Sequence, residues 1–139
     1  MERYIGVKEV EAREMTLGEY NKYKGWEMPL DENPFKEGYL VKYDTGYISW
    51  CPKEEFEKAN ISSVGLDLNP NAKFELPHQQ RVQEEILELN EKLCKLADFV
   101  YSNPFFLKIT IEEQEYLRFQ YLAMSAYFRV LSLRISKFK

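Results

Sequence analysis

The sequence predicts an α+β fold, in which a small antiparallel sheet with short helices precedes a long antiparallel helical hairpin. Apolar residues recur at alternating three- and four-residue steps in two segments of the final third, which is typical of helices that pack along one seam. Residues 38–50 instead alternate on either side of a turn, as a β-hairpin does. We therefore divide the 139 residues into an α+β module at 1–60, a linker at 61–74 and a helical hairpin at 75–139.

The helical hairpin is predicted from two apolar stripes and the break between them. The first stripe comprises Val82, Ile86, Leu89, Leu93, Leu96 and Val100. The second stripe comprises Leu117, Tyr121, Met124, Phe128, Leu131, Ile135 and Phe138. Asn103-Pro104 predicts the end of the first helix, because proline removes a backbone donor and disfavours helical dihedrals in the residue before it. Thr110-x-x-Glu113 has the spacing of a capping box, and so short a connection predicts an antiparallel pair.

The second helix of the hairpin carries a further apolar face. Its residues are Phe119, Leu122, Ala126, Val130 and Leu133. Each large side chain left in water forgoes roughly 1.5–3 kcal/mol of burial, so this face is expected to have a partner. One interpretation is that it packs on the N-terminal module of the same chain. The other, which we favour because symmetric oligomers are common, is that these five residues form the interface of a homo-oligomer.

The module at 1–60 is predicted to begin with a strand over residues 4–15, bulged near Lys8-Glu9 where the apolar alternation shifts. A second capping box at Thr16-x-x-Glu19 predicts a helix over Leu17–Lys24. That helix is expected to stop at a glycine, Gly25, which tolerates the left-handed conformation of a helix end.

A β-hairpin is predicted from Gly38 to Trp50. Asp44-Thr45-Gly46 supplies the turn, and glycine suits the positive backbone angle that such turns need. Pro52 follows at once and fits the first position of a short helix over residues 53–60.

Composition and charge exclude several classes of function. The net charge is −4, and residues 1–60 hold nine lysines and arginines against thirteen acidic residues, so duplex DNA is a poor partner. No apolar run approaches the roughly 20 residues of a membrane span, which predicts a soluble protein. Cys51 and Cys94 lack metal-ligand spacing and are interpreted as reduced thiols of a cytosolic protein.

The sequence offers little for catalysis. Its single histidine, His78, is followed by Gln79-Gln80 in a helix start and lacks an evident orienting partner, so a solvated surface role is the simpler interpretation. No glycine-rich phosphate loop or nucleophile elbow is present. We therefore predict a binding protein, not an enzyme, with no cofactor and no metal.

Aromatic and cationic residues concentrate in the N-terminal module. Aromatic rings can stack on a base and cations can meet phosphate or ribose, so the pattern predicts binding of a nucleotide-type small molecule. The predicted ligand-binding residues are Trp26, Tyr39, Tyr43 and Trp50, with Arg13, Lys24 and Lys42. The alternative interpretation is that many of these rings fill the core of a small module.

Residues 3–59 resemble a family of small, mostly uncharacterised tailed-phage proteins. The resembling stretches are Tyr4-Ile5-Gly6, Met15-Thr16-Leu17-Gly18-Glu19-Tyr20-Asn21, Gly25-Trp26, Asp31-Glu32-Asn33-Pro34, Glu37-Gly38-Tyr39-Leu40-Val41-Lys42-Tyr43 and Gly46-Tyr47-Ile48-Ser49-Trp50. Residues 77–138 resemble a helical-hairpin family of crAss-like phages. The residues that carry this likeness are His78-Gln79-Gln80-Arg81-Val82, Glu88-Leu89, Lys92-Leu93, Gln120, Met124, Tyr127, Leu131 and Arg134-Ile135. Both resemblances imply a phage product that acts in the cytoplasm of the infected bacterial host.

A third resemblance concerns function. Met15-Thr16-Leu17-Gly18-Glu19, Gly25-Trp26 and Gly46-x-x-x-Trp50-x-Pro52 are similar to the second-type Thoeris anti-defence family. Those proteins are oligomeric sponges, and the likeness implies that this chain sequesters a cyclic ADP-ribose or cyclic nucleotide signal without cleaving it. Two alternatives stay open, namely a factor that binds a host protein through the helical hairpin and a small hydrolase of the same signals.

Overall fold

The computed structural model describes residues 1–62 and 68–138, and these residues fall into two compact units. One unit is Glu9–Ile61, called here the sheet unit. The other, the helical unit, joins Met1–Lys8 to the described residues from Ser62 onward. The predicted fold class is confirmed, since a three-stranded antiparallel sheet is followed by two long helices that pack together as a hairpin. Part of the predicted linker at 61–74 lies outside the described residues.

The sheet consists of β1 (Glu11–Glu14), β2 (Gly38–Lys42) and β3 (Ile48–Pro52), which lie in that order with antiparallel neighbours. The prediction of a strand from residue 4, with a bulge near Lys8-Glu9, was wrong. The described sheet begins only at Glu11, which lies opposite Lys42, the last residue of β2.

Two short helices belong to the sheet unit. The first, α1 (Leu17–Lys24), has the predicted bounds: the Thr16 hydroxyl accepts a hydrogen bond from the Glu19 N–H at 3.2 Å, and Gly25 ends the helix with φ of 72°. The second, α2 (Lys53–Ala59), follows β3 directly. Pro52, predicted as its first residue, is instead the last residue of β3 and precedes the helix.

The helical unit contains α3 (Pro77–Ser102), a short 3₁₀ helix (Pro104–Lys108) and α4 (Ile111–Ser136). The break falls where it was predicted. The Thr110 hydroxyl accepts a hydrogen bond from the Glu113 N–H at 3.2 Å, which caps the first turn of α4. None of the helices among the described residues is long and apolar enough to cross a membrane.

The core of the helical unit follows the two predicted stripes. Val82, Ile86, Leu89 and Leu131 are buried together. Partly buried side chains complete this core, namely Leu68, Met124, Phe128, Ile135 and Phe138. At the other end of the hairpin Val100 and Phe106 are also buried.

The segment 68–74, predicted as the second half of the linker, packs on the hairpin. The buried amide of Gln83 donates a hydrogen bond to the Asn69 carbonyl at 2.9 Å. The Phe74 N–H donates to the Gln80 side-chain oxygen at 2.9 Å, and its ring meets the edge of Phe138 with centroids 5.3 Å apart. These contacts hold residues 68–74 against the hairpin just before α3 begins.

Candidate functional site

The register of the sheet decides which predicted ligand-binding residues lie together. Residues paired across antiparallel strands project from the same face, and the next pair along projects from the other. One face carries the row Arg13, Leu40 and Trp50 and the neighbouring row Glu11, Lys42 and Ile48. We call it the Trp50 face. The opposite Tyr39 face carries Glu14, Tyr39 and Cys51, followed by Ala12, Val41 and Ser49.

The Trp50 face brings together three of the predicted residues, Arg13, Lys42 and Trp50. The indole N–H of Trp50 donates to the Met15 carbonyl at 2.8 Å, which fixes one edge of the half-buried ring. The ring lies across Gly38, where an added Cβ would come within 2.4 Å of it. Both cationic side chains are exposed. The face therefore combines an anchored aromatic plane with two accessible positive charges and with the carboxylate of Glu11, which lies opposite Lys42.

Tyr39 lies in different electrostatic surroundings. Its hydroxyl donates to the Glu57 carboxylate at 2.9 Å, and its ring stacks on Phe56 with centroids 4.2 Å apart. The pKa of Tyr39 is raised, first because this hydrogen bond holds the proton and then through burial and the nearby negative charges of Glu57, Glu14 and Glu37.

A cavity of about 280 Å³ opens beside Tyr39. It is lined by Glu14, Met15, Thr16, Glu19, Glu37, Gly38, Tyr39 and Lys53. The only cation in that lining, Lys53, lies 3.7 Å from the Glu37 carboxylate. Three carboxylates against one lysine make this cavity unsuited to a phosphate group, because like charges repel.

Lys24, the last residue of α1, and Trp26 form a separate group at the end of that helix. The Trp26 ring is 56% exposed and meets the edge of buried Tyr20 with centroids 5.9 Å apart. The ammonium of Lys24 lies 5.3 Å from the Trp26 centroid, within the range of a cation–π contact.

Tyr43 lies at the hairpin turn, beyond the paired residues of β2. Its ring stacks on Tyr47 with centroids 5.8 Å apart. The seven predicted residues thus occupy four places: the Trp50 face, the acidic cavity, the turn and the end of α1. Sequence reasoning missed the carboxylates around Tyr39, although strand alternation could have separated Tyr39 from Trp50.

The residues predicted to form the second apolar face of α4 lie at least partly at the surface. Phe119 is 52% and Val130 is 40% exposed, Ala126 is exposed, and Leu122 and Leu133 are half-buried. At about 3.6 residues per turn, this face lies on the side of α4 opposite the core stripe.

Groups suited to catalysis do not gather in the described residues. His78 is exposed, and its ring meets the edge of Phe138 with centroids 6.4 Å apart. No cluster of side chains that could hold a metal ion occurs in residues 1–62 and 68–138. The half-buried Cys51 has a raised pKa because burial and the charge of Glu55 disfavour its thiolate.

The geometry defines a two-unit chain, a small sheet unit with charged aromatic surfaces and a helical hairpin with a second apolar face. Residues 76–137 match the family model described as Sequestin. A curated relative, described as an uncharacterized 7.5 kDa protein in the denB-rIIB intergenic region of Enterobacteria phage T4, is 39% identical over 64 residues. Those residues cover 46% of this chain and 98% of the relative, so the chain belongs to the family of that phage protein. No solved structure matches the chain.

The family-model match corresponds to the helical unit, from just before α3 to the end of α4. It gives no support to the resemblance of residues 3–59 to a tailed-phage family, which stays a prediction. The specific likeness to the Thoeris anti-defence family also stays a prediction.

Proposed function

We propose that the protein binds a nucleotide-type bacterial immune signal, of the cyclic ADP-ribose or cyclic nucleotide class, and holds it without cleaving it. The observation that carries the proposal is the match of the helical unit to a family whose name, Sequestin, denotes sequestration. The relative in phage T4 supports a role during infection, in the cytoplasm of the host cell.

The Trp50 face is the part of the sheet unit best suited to such a ligand. Arg13 and Lys42 are diagonal neighbours on β1 and β2, with Cα atoms roughly 7–8 Å apart, so both long side chains can reach one phosphate group. Trp50 lies in the same row as Arg13, on the far strand. Its indole would stack on the base while the cations meet the phosphate and ribose.

The other predicted residues have lesser parts in this proposal. Lys24 and Trp26 form a second cation and ring pair that can contact the base or ribose. Tyr39 projects from the opposite face of the sheet, where carboxylates repel phosphate, and Tyr43 lies at the turn just beyond Lys42, so both tyrosines would only flank the ligand.

Isothermal titration with a panel of cyclic nucleotides and cyclic ADP-ribose isomers tests the proposal. Arg13→Ala and Lys42→Ala should each weaken binding roughly 10- to 150-fold, since a hydrogen bond to a charged group contributes about 1.5–3 kcal/mol. Lys58→Ala on exposed α2 is the matched control and should leave the affinity unchanged.

Two outcomes would contradict the proposal. Absence of heat with every ligand in the panel would favour a host protein as the target. Recovery of a cleaved product after denaturing the complex would instead indicate a hydrolase. Recovery of the intact ligand, in amounts that match the binding sites, is the expected result.

A further inference from the structure

The residues of the second apolar face of α4 are spaced symmetrically along the sequence. Counted from Ala126, Leu122 and Val130 lie four residues away on either side, and Phe119 and Leu133 lie seven residues away. The face is thus a palindrome of large side chains around one small residue. An antiparallel pair centred on Ala126 places each large residue opposite a large residue, and the charges at the two ends of α4 decide between this direction and a parallel one.

The charges at the two ends of α4 continue the same pattern. Glu115 lies eleven residues before Ala126 and Lys137 eleven residues after it, and both project within about 20° of the apolar face on an ideal helix. The first turn of α4 adds two further acids, Glu112 and Glu113, whereas the last turn adds Arg134. One end of the face is negative and the other is positive.

A parallel pair of these helices would place like charges side by side at both ends. An antiparallel pair would place Glu115 of each copy beside Lys137 of the other, which favours that direction by electrostatic complementarity. Arg118 and Arg134, which lie eight residues on either side of Ala126, project toward opposite flanks of the face and so do not meet.

We propose that α4 pairs with α4 of a second copy of the chain, antiparallel and around a two-fold axis at Ala126. In this dimer Phe119 packs on Leu133 of the other copy, and Leu122 packs on Val130. The four helices then lie side by side, with each α4 between its own α3 and the second α4, because the second apolar face lies opposite the core stripe. Exposed Phe119 and Val130 become buried, which supplies the hydrophobic free energy for association. The dimer is independent of the identity of any ligand.

Sedimentation equilibrium of the full chain at tens of micromolar tests the assembly. The expected mass is twice the 16.6 kDa of one chain. Ala126→Glu should weaken association by at least roughly 100-fold, because it places two like charges against each other at the axis. Tyr127→Glu, on an exposed flank of the same helix, is the matched control and should still dimerise. A wild-type monomer, or an Ala126→Glu variant that dimerises normally, would overturn the proposal.

Charge exchange tests the direction of the pairing. Glu115→Lys and Lys137→Glu should each weaken the homodimer roughly 2- to 30-fold, since both end contacts become repulsive. An equimolar mixture of these two variants should associate as well as wild type, because each end then joins opposite charges. Failure of the mixture to recover would overturn the antiparallel arrangement.

Disulfide cross-linking tests the direction of the pairing independently. The variants are made in a background in which both native cysteines are replaced, by Cys51→Ser and Cys94→Ser. Phe119→Cys combined with Leu133→Cys should give a covalent dimer on oxidation. Phe119→Cys alone should not, because the two substituted positions lie roughly 21 Å apart in the antiparallel pair and a disulfide needs Cα atoms within about 7 Å. Efficient cross-linking of the single variant would show a parallel pair and overturn the proposal.

Discussion

The two units of the chain are stabilised in different ways. The helical unit buries six apolar side chains among its described residues: Val82, Ile86, Leu89, Val100, Phe106 and Leu131. The described sheet unit buries three, Met15, Tyr20 and Val41, and depends on individual contacts such as the Trp50 hydrogen bond to the Met15 carbonyl. Stability is thus distributed along a seam in the helical unit and concentrated at a few positions in the sheet unit. Truncating a buried side chain should therefore destabilise the helical unit most. A steric clash at one of the few key positions should destabilise the sheet unit most.

The largest effect is expected from a cavity in the hairpin seam. Ile86 is 1% exposed, so Ile86→Ala should lower the free energy of unfolding of the helical unit by about 2–5 kcal/mol. Far-UV circular dichroism at 222 nm during urea unfolding measures this loss. Leu107→Ala, at a 76% exposed site in the hairpin connection, is the control and should change the free energy by less than about 0.5 kcal/mol. Equal effects of the two substitutions would contradict the distributed seam.

A clash in the sheet should rank second. A Cβ on Gly38 would lie 2.4 Å from the Trp50 ring and 2.5 Å from the Cys51 carbonyl oxygen. Gly38→Ala should therefore destabilise the sheet unit by about 1–3 kcal/mol, as overpacking does. Thermal unfolding followed by near-UV circular dichroism reports the change. Gly6→Ala has open space around the new Cβ and should leave the transition unchanged; a similar shift in both variants would show that the close approach is unimportant.

Each unit contains a helix that begins with a threonine capping box, so the effect of removing the cap can be compared between the units. Thr16 caps α1 and Thr110 caps α4, each through a 3.2 Å hydrogen bond to the N–H three residues later. Replacing either threonine by alanine should cost about 1 kcal/mol, whereas serine should retain most of the cap. The midpoint of chemical unfolding measures both. Additive losses in the double variant are expected for sites that share no partner, and strong coupling would refute that independence.

The smallest effect concerns the proton that Tyr39 donates to Glu57. Because the folded state raises the pKa of Tyr39, it retains this proton after the unfolded chain, with an ordinary value near 10, has lost it. The resulting stabilisation is fully present below about pH 10 and is lost as the pH rises through the raised value. Ultraviolet titration of phenolate should show Tyr39 among the last tyrosines to ionise, and Glu57→Gln should lower its pKa. No change in that variant would contradict the assigned cause.

Local signals predicted most of the fold. Both capping boxes, Gly25 and the break at Asn103-Pro104 act through neighbouring backbone groups, so a short stretch of sequence contains the whole interaction. The start of β1 could not be predicted in the same way. It depends on where β2 ends, which is a property of a segment just over thirty residues away, since Glu11 pairs with Lys42.

The candidate site was less predictable because it depends on register. The sequence identified rings and cations by type but did not separate Tyr39 from Trp50, whose faces follow from the pairing of β2 with β3. Likewise, the acidic surroundings of Tyr39 combine Glu14, Glu37 and Glu57, which are distant in sequence. The apolar face of α4 was visible from periodicity alone because one helix contains all of it.

The placement of Trp50 across Gly38 has a practical consequence. Indole emission responds to whatever covers the ring, and the sequence holds two tryptophans, Trp26 and Trp50. In a Trp26→Phe variant the remaining emission would come from Trp50 alone. A ligand stacked on the Trp50 ring would then be detected as quenching or as a spectral shift of this emission, without any attached dye.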